Sequence, residues 1–224
     1  MPLYALVSFA FVLAASPALY AQSTSLSQGS HRIEILVERR DGMVWKQVDP
    51  GLVFNQNDLL RFRFQTNFDG YLYVVNHSSS GSDMLLFPRE ETGRDNRIQA
   101  AKSYQVPATK SQFRIAGPAG HEVVYWMLSP VELPGYSSPP ASAETRKAPE
   151  LIPRCDDELF RARGECIDST AGARGIDAQE TLPKGLPRSD DPADLVFMRQ
   201  QNKSVISSRI LHGPIVYEFR IAHK

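Results

Sequence analysis

The sequence predicts an all-β chain, an immunoglobulin-like β-sandwich that carries a Pro-rich, disulfide-containing insertion and a short helix. Three observations carry that expectation. A two-residue apolar period runs from Arg32 to Leu133, two segments within it are apolar on both faces, and the same period returns near the carboxyl terminus after a proline-rich detour.

Ile33, Ile35 and Val37 alternate with polar neighbours, Asp41-Gly42 supplies the residues of a two-residue primed turn, and Val44 and Val48 resume the apolar face. In the expected hairpin Val37 faces Lys46 and Ile35 faces Val48. Leu60, Phe62 and Phe64 then share one face while Arg61, Arg63 and Gln65 share the other, the pattern of a sheet with one wet side. Asn67-Phe68-Asp69-Gly70 turns the chain. Tyr71 to Val75 and Val123 to Leu128 are apolar at successive positions, which places both strands centrally and covered on each side. Shorter strands are expected over Met84–Phe87, Tyr104–Val106 and Phe113–Ile115, between segments rich in Gly, Pro, Asn and Ser. Ser78 to Ser82 reads as a hairpin loop.

Composition changes at Pro134. Half of the sixteen prolines and both cysteines lie between there and Pro192, with few aliphatic side chains to make a core. Such a stretch cannot fold alone, so it is an excursion over the sandwich or a linker pinned by a disulfide. Asp191-Pro192-Ala193-Asp194 reads as a helix start, with an acidic cap and proline at the first position, and predicts a short helix to about Gln200. Ile215, Tyr217, Phe219 and Ile221 then alternate with Val216, Glu218 and Arg220. This amphipathic strand must pair with the sheet built before Pro134, because an isolated strand is unstable. The expected organisation is a leader over 1–21, a flexible segment over 22–31, a sandwich core over 32–133, the insertion over 134–194, and the helix and closing strand over 195–224.

Met1 to Ala21 contains no charged side chain, and Leu3, Leu6, Val7, Phe9, Phe11, Val12 and Leu13 form an apolar stretch ending in small residues that suit cleavage after Ala21. The stretch is shorter than the roughly 20 residues that span a bilayer. The expectation is therefore a periplasmic or secreted protein with no stable membrane span after cleavage. The 25 basic and 25 acidic side chains balance, so no global field attracts nucleic acid or anionic lipid.

Cys155 and Cys166 are the only cysteines, and in an exported chain their spacing favours a disulfide. A straight helix would hold them about 16 Å apart, whereas a disulfide needs Cα atoms about 4.4–6.8 Å apart. The chain must turn back between them, and Gly164, after a helical turn capped by Asp156 or Asp157, is the obvious place.

Asp58-Leu59-Leu60-Arg61-Phe62, Asp69-Gly70-Tyr71-Leu72-Tyr73-Val74-Val75-Asn76, Leu85-Leu86-Phe87-Pro88, Tyr104-Gln105-Val106-Pro107 and Gly117-Pro118-Ala119-Gly120-His121-Glu122 occur in that order. The stretch from about Phe54 to Leu133 that holds them resembles the uncharacterised bacterial domain-of-unknown-function family four-three-eight-four. The resemblance implies a small β domain of exported or multidomain proteins, sometimes beside caspase-like peptidase domains, and brings no catalytic residues with it. Each piece also has a scaffold role: a turn at Asp69-Gly70, a strand end at Pro88, a tight connection at Gly117 to Gly120.

His31, His77, His121, His212 and His223 show no metal-ligand spacing. His121 and Glu122, adjacent on a strand, point to opposite faces, and His121 is expected to be solvated. No Gly-x-Ser-x-Gly elbow exists, and the cysteines read as a crosslink rather than a nucleophile. Asp156-Asp157-Glu158, and Asp190-Asp191 with Asp194, lack the ordered spacing of a calcium loop and suit helix amino termini. Arg89, Arg94 and Arg97 share a loop with Glu90, Glu91 and Asp95, so the charges there largely cancel. No catalytic, cofactor or metal site is expected. Tyr71, Tyr73, Tyr104, Tyr125 and Trp126 are the candidate ligand surface if several share an exposed face, with core packing as the commoner use of such residues.

The leading functional expectation is a non-enzymatic exported binding or accessory protein of the bacterial envelope, with an envelope protein, peptide or glycan as partner. An envelope hydrolase or peptidase regulator would instead gather two or more of His121, Glu122, Asp69 and His77 in a concave pocket. A structural surface protein would bind no specific ligand.

Overall fold

The computed structural model describes residues 30–77, 83–133, 166–183 and 185–224. Two antiparallel sheets pack face to face. One holds β1 (His31–Asp41), β2 (Val44–Val48), β3 (Leu59–Thr66), β7 (Ser103–Val106), β8 (Phe113–Arg114), β11 (Val196–Gln200) and β12 (Lys203–Ser208), with order β11-β12-β1-β3-β7, β2 extending beside β1 and β8 beside β3. The other holds β4 (Gly70–His77), β5 (Asp83–Phe87), β6 (Arg97–Ile98), β9 (Gly120–Ser129), β10 (Gly172–Arg174) and β13 (Ile215–His223), with order β10-β13-β9-β4-β5 and β6 beside β4.

The alternating side chains meet between the sheets. Ile33, Ile35 and Val37 of β1 and Leu60, Phe62 and Phe64 of β3 are buried there against Val74, Trp126 and Phe219 of the facing sheet. Edge-to-face contacts of Phe62 with Trp126 and Phe219, at 5.2 and 5.5 Å between centroids, fix the centre. The closing strand pairs as expected: β13 runs antiparallel to β9 from Ile215↔Leu128 to His223↔Gly120. β9 lies between β13 and β4, the central position its doubly apolar sequence predicts.

The second face of this sheet is also covered. Tyr73, Val75, Tyr125, Met127 and Val216 form a second apolar layer under Ile176, Leu182 and Leu186 from the segment that follows β10. The detour is thus an excursion over the sheet along its described part. Glu218 and Arg220, expected on a wet face, are buried beneath it. The first sheet keeps its wet outer face, with Arg61 bound to Glu38 at 2.5 Å.

Two further expectations, the hairpin turn and the helix, are corrected. The hairpin turns on Gly42-Met43 rather than Asp41-Gly42, pairing Val37 with Val48 and Arg39 with Lys46. Placing Val48 opposite Ile35 would displace β12, which pairs Ile35 with Ser204. Gly42 takes the left-handed conformation, φ 59°. Val44 then projects past the end of the core and is 60% exposed. The helix expected to about Gln200 is also absent: Pro192–Asp194 makes one 3-10 turn and Val196–Gln200 is strand β11. A single turn has too few hydrogen bonds to propagate, whereas pairing Val196↔Ser207 to Gln200↔Lys203 satisfies the backbone at once. Asp194 instead caps the turn after β12, accepting from the Ser208 hydroxyl and the Arg209 and Ile210 N–H groups. Those bonds, with the Arg209 guanidinium first among them, hold its carboxyl down at about 2.

The leader, Asp156 to Glu158, Gly164, Cys155 and Ser78 to Ser82 lie outside the described residues. Among the described residues no helix is long and apolar enough to cross a membrane.

Candidate functional site

At one end of the second sheet, polar residues occupy the inward phase of three neighbouring strands. Glu122 shares its phase with Val124 and Trp126 on β9, Asn76 with Val74 on β4, and His223 with Phe219 and Ile221 on β13. Asn76 Nδ2 donates to Glu122 Oε2 at 2.9 Å, and His223 Nε2 stands 3.6 Å from Glu122 Oε1. That ring nitrogen is buried and makes no hydrogen bond with the described residues.

Beside this group a cleft of about 420 Å³ opens between the sheets. Leu60, Phe62, Phe113, Met84, Val124 and Ile221 make its walls, and the half-buried Asn76 and Glu122 also line it. Arg114, Ala116 and Gly117 form an exposed rim. A site with apolar walls and few convergent polar groups has the make-up of a small-ligand cleft. Its polar lining sets the Glu122 carboxylate and the Asn76 amide beside the apolar walls, with Gln112 and Arg114 also bordering the space.

The other carboxylate–histidine contacts are elsewhere. His121 is on the opposite face of β9 from Glu122, as strand geometry requires, but it is buried rather than solvated: its Nε2 is 3.2 Å from Asp168 Oδ2, with both side chains wholly enclosed. Asp168 belongs to the excursion, so a segment distant in sequence covers a residue that reads locally as surface. Thr170 Oγ1 lies 3.4 Å from the same Nε2 and donates to Asp168 Oδ1 at 2.7 Å. Hydroxyl and carboxylate both approach this one ring nitrogen. The cluster fastens the excursion to the sheet. His77 Nδ1 meets Asp83 Oδ1 at 2.6 Å across the β4–β5 pair, and Asp69 is exposed, accepting from the Ala100 N–H. Of His121, Glu122, Asp69 and His77, Glu122 alone lines the cleft.

The five aromatic residues do not share a face. Trp126 is in the inter-sheet core, Tyr73 and Tyr125 are in the layer beneath the excursion, and Tyr71 and Tyr104 are half-buried in separate places. Tyr104 stacks on Phe64 at 5.4 Å. The Leu133 N–H donates to the Tyr73 hydroxyl oxygen at 2.8 Å. The loop from Arg89 to Arg97 holds the expected compensating pairs, Arg89 with Glu91 and Arg94 with Glu90. Among the described residues no three His, Cys, Asp or Glu side chains gather as metal ligands.

A buried charge cluster lies on the covered face. Glu218 accepts from Arg220 Nε at 2.6 Å and faces Arg174 Nε at 3.1 Å. Burial pushes its carboxyl up to about 7 against the pull of Arg220 and Arg174, with Glu180 adding to the rise.

Sequence reasoning missed the cleft. The signal was present as polar residues occupying the apolar phase at the ends of strands, Asn76 after Leu72 and Val74, Glu122 before Val124. No curated protein and no solved structure matches the chain. Residues 53–132, which contribute β3 to β9 and with them most of the cleft, match the family described as Domain of unknown function (DUF4384).

Proposed function

We propose that the protein is a non-enzymatic binding module of the bacterial envelope, exported by its apolar leader, and that it takes its ligand in the cleft beside Glu122. The cleft carries this reading: apolar on its walls, open to solvent at Arg114 and Ala116, and furnished with one carboxylate oriented by Asn76. The scatter of His121, His77 and Asp69 around other parts of the sandwich gives the hydrolase reading less support. The non-sequential strand order β10-β13-β9-β4-β5 supports an immunoglobulin-like assignment.

The test uses a neutral apolar fluorescent dye, displaced by alkylamines and by alkanoates of matched chain length. The amine is expected to displace the dye about tenfold more effectively than the acid, the effect of one charge-assisted hydrogen bond. Glu122→Gln should remove the preference, and Ala116→Trp, at an exposed rim position, should block dye binding. Saturable dye binding untouched by Ala116→Trp would place the ligand elsewhere and end the proposal.

The same reading includes a Cys155–Cys166 crosslink. Cys166 is buried with Val53, Ala171 and Ala222 beside β13, so the bond would tie Cys155 to the sheet. Under denaturing conditions both cysteines should resist a thiol reagent until a reductant is added. Immediate labelling of either would sink the crosslink.

A further inference from the structure

We propose that the tip of the β1–β2 hairpin and the basic groove beside it seat on the surface of an anionic lipid bilayer. This contact is separate from the cleft and does not depend on it.

Two independent features meet there. The first is apolar exposure where a turn has no structural need of it: Met43 is 91% exposed and Val44 60% exposed, both past the end of the core. A two-residue turn favours Asn, Asp or Gly, which water solvates well, so a Met-Val tip is the costly choice for a tip that stays in water. The second is a groove of about 330 Å³ running from Met43 past Trp45 to Gln112, lined by Arg40, Arg61 and Lys110 with no carboxylate among its described lining residues.

The cations differ in commitment. Arg61 is bound to Glu38 and lies 4.4 Å over the Trp45 ring, so its charge is largely compensated. Arg40 donates to the Gly42 carbonyl and the Gln112 side-chain oxygen at 3.0 and 3.2 Å. Neither Arg40 nor Lys110 pairs with a carboxylate among the described residues. Arg40, Lys110 and the half-buried Trp45 line the groove next to Met43, so phosphate oxygens of a headgroup layer would come within reach of the two cations if Met43 and Val44 entered the acyl boundary. An acidic glycan would use the cations and the ring, but would leave Met43 and Val44 without a role. The whole chain is formally neutral, so the attraction is local to this end and does not contradict the absence of a global field.

The experiment is co-sedimentation of the purified mature protein with vesicles of phosphatidylcholine alone, or mixed with phosphatidylglycerol, at low and high salt. Binding to the mixed vesicles that weakens with salt is expected. Each cation near an anionic surface strengthens binding about fivefold, so Arg40→Gln with Lys110→Gln should lose about 25-fold. Met43→Ser with Val44→Ser should lose about tenfold. Trp45 emission should shift to the blue on binding, and Trp126, wholly buried, contributes nothing to the change. Thermal melts matching the parent confirm that the variants fold, since all four positions are exposed. Equal binding to neutral vesicles, or binding indifferent to either pair of substitutions, overturns the proposal. Salt-sensitive retention on dextran sulfate that depends on Arg40 and Lys110, with no vesicle binding, would replace it with an acidic glycan.

Discussion

Trp126→Ala is expected to lower the unfolding free energy by about 3–5 kcal/mol, measured by denaturant titration. Trp126 has no exposed surface, and its ring is packed by Phe62 and Phe64 of the facing sheet at 5.2 and 5.8 Å. Alanine would open a cavity where both sheets meet, and β9, held between β13 and β4, cannot move to fill it. Trp126→Phe should cost much less. Phenylalanine keeps most of the ring contacts and removes Nε1–H, a buried donor with no hydrogen-bond partner among the described residues. An unmade bond of that kind costs about 1–3 kcal/mol, and its removal offsets the lost volume. If both substitutions destabilised equally, the indole nitrogen rather than the ring packing would be holding the sheets together. A loss under about 1 kcal/mol for alanine would mean that the inter-sheet core is elsewhere.

The same residue marks how far the sequence was legible. Val123 to Leu128 are apolar at every position, and only a strand covered on both faces fits that run; β9 is such a strand. The period of two located β1, β3 and β13 and foretold that β13 would return to the earlier sheet. What local pattern could not supply was the identity of the covering layer. Ile176, Leu182 and Leu186 are sparse within a proline-rich stretch, so their packing on Tyr125 and Met127 is a tertiary event without local periodicity. That single omission explains two misplacements, His121 as solvated and Glu218 with Arg220 as a wet face.

The turn and helix errors have a different origin, competition between neighbours. Asp41-Gly42 has good turn chemistry, yet the register is decided by β12, which occupies the edge of β1 from His31 to Leu36. Asp191-Pro192 starts a helical turn, yet Val196 to Gln200 finds a waiting edge at β12. The cleft was hidden for a third reason. Glu122 looked like half of a local pair with His121, whereas its partners Asn76 and His223 come from strands far away in the chain.

Stability is expected to fall as pH rises from about 5 to about 8, and Glu218→Gln to remove much of that fall. The Glu218 carboxyl is held at about 7 in the folded chain against an ordinary 4.5. Between those values the folded state keeps a proton that the unfolded state has released, so raising the pH favours unfolding; the stabilising protonated form is complete below 4.5 and lost through 7. The window corresponds to roughly 3 kcal/mol. Desolvation wins here although two guanidiniums are close, because Glu218 has no exposed surface and Glu180 adds a second negative charge above it. Among the described residues, Tyr125, whose hydroxyl donates to Glu180 Oε1 at 3.3 Å, Asp177, 3.7 Å from Arg174, and Arg188, bound to the Glu180 and Asp177 carbonyls, also stand near the cluster. Glutamine cannot ionise and stands in for the protonated acid, so the variant should unfold with nearly the same free energy at pH 5 and pH 8, close to the parent at pH 5 and above it at pH 8. Histidines are common to both proteins, so the difference in slope belongs to Glu218. Parallel slopes in the two would mean that Glu218 is already charged at pH 5, and that Arg220 and Arg174 outweigh the burial.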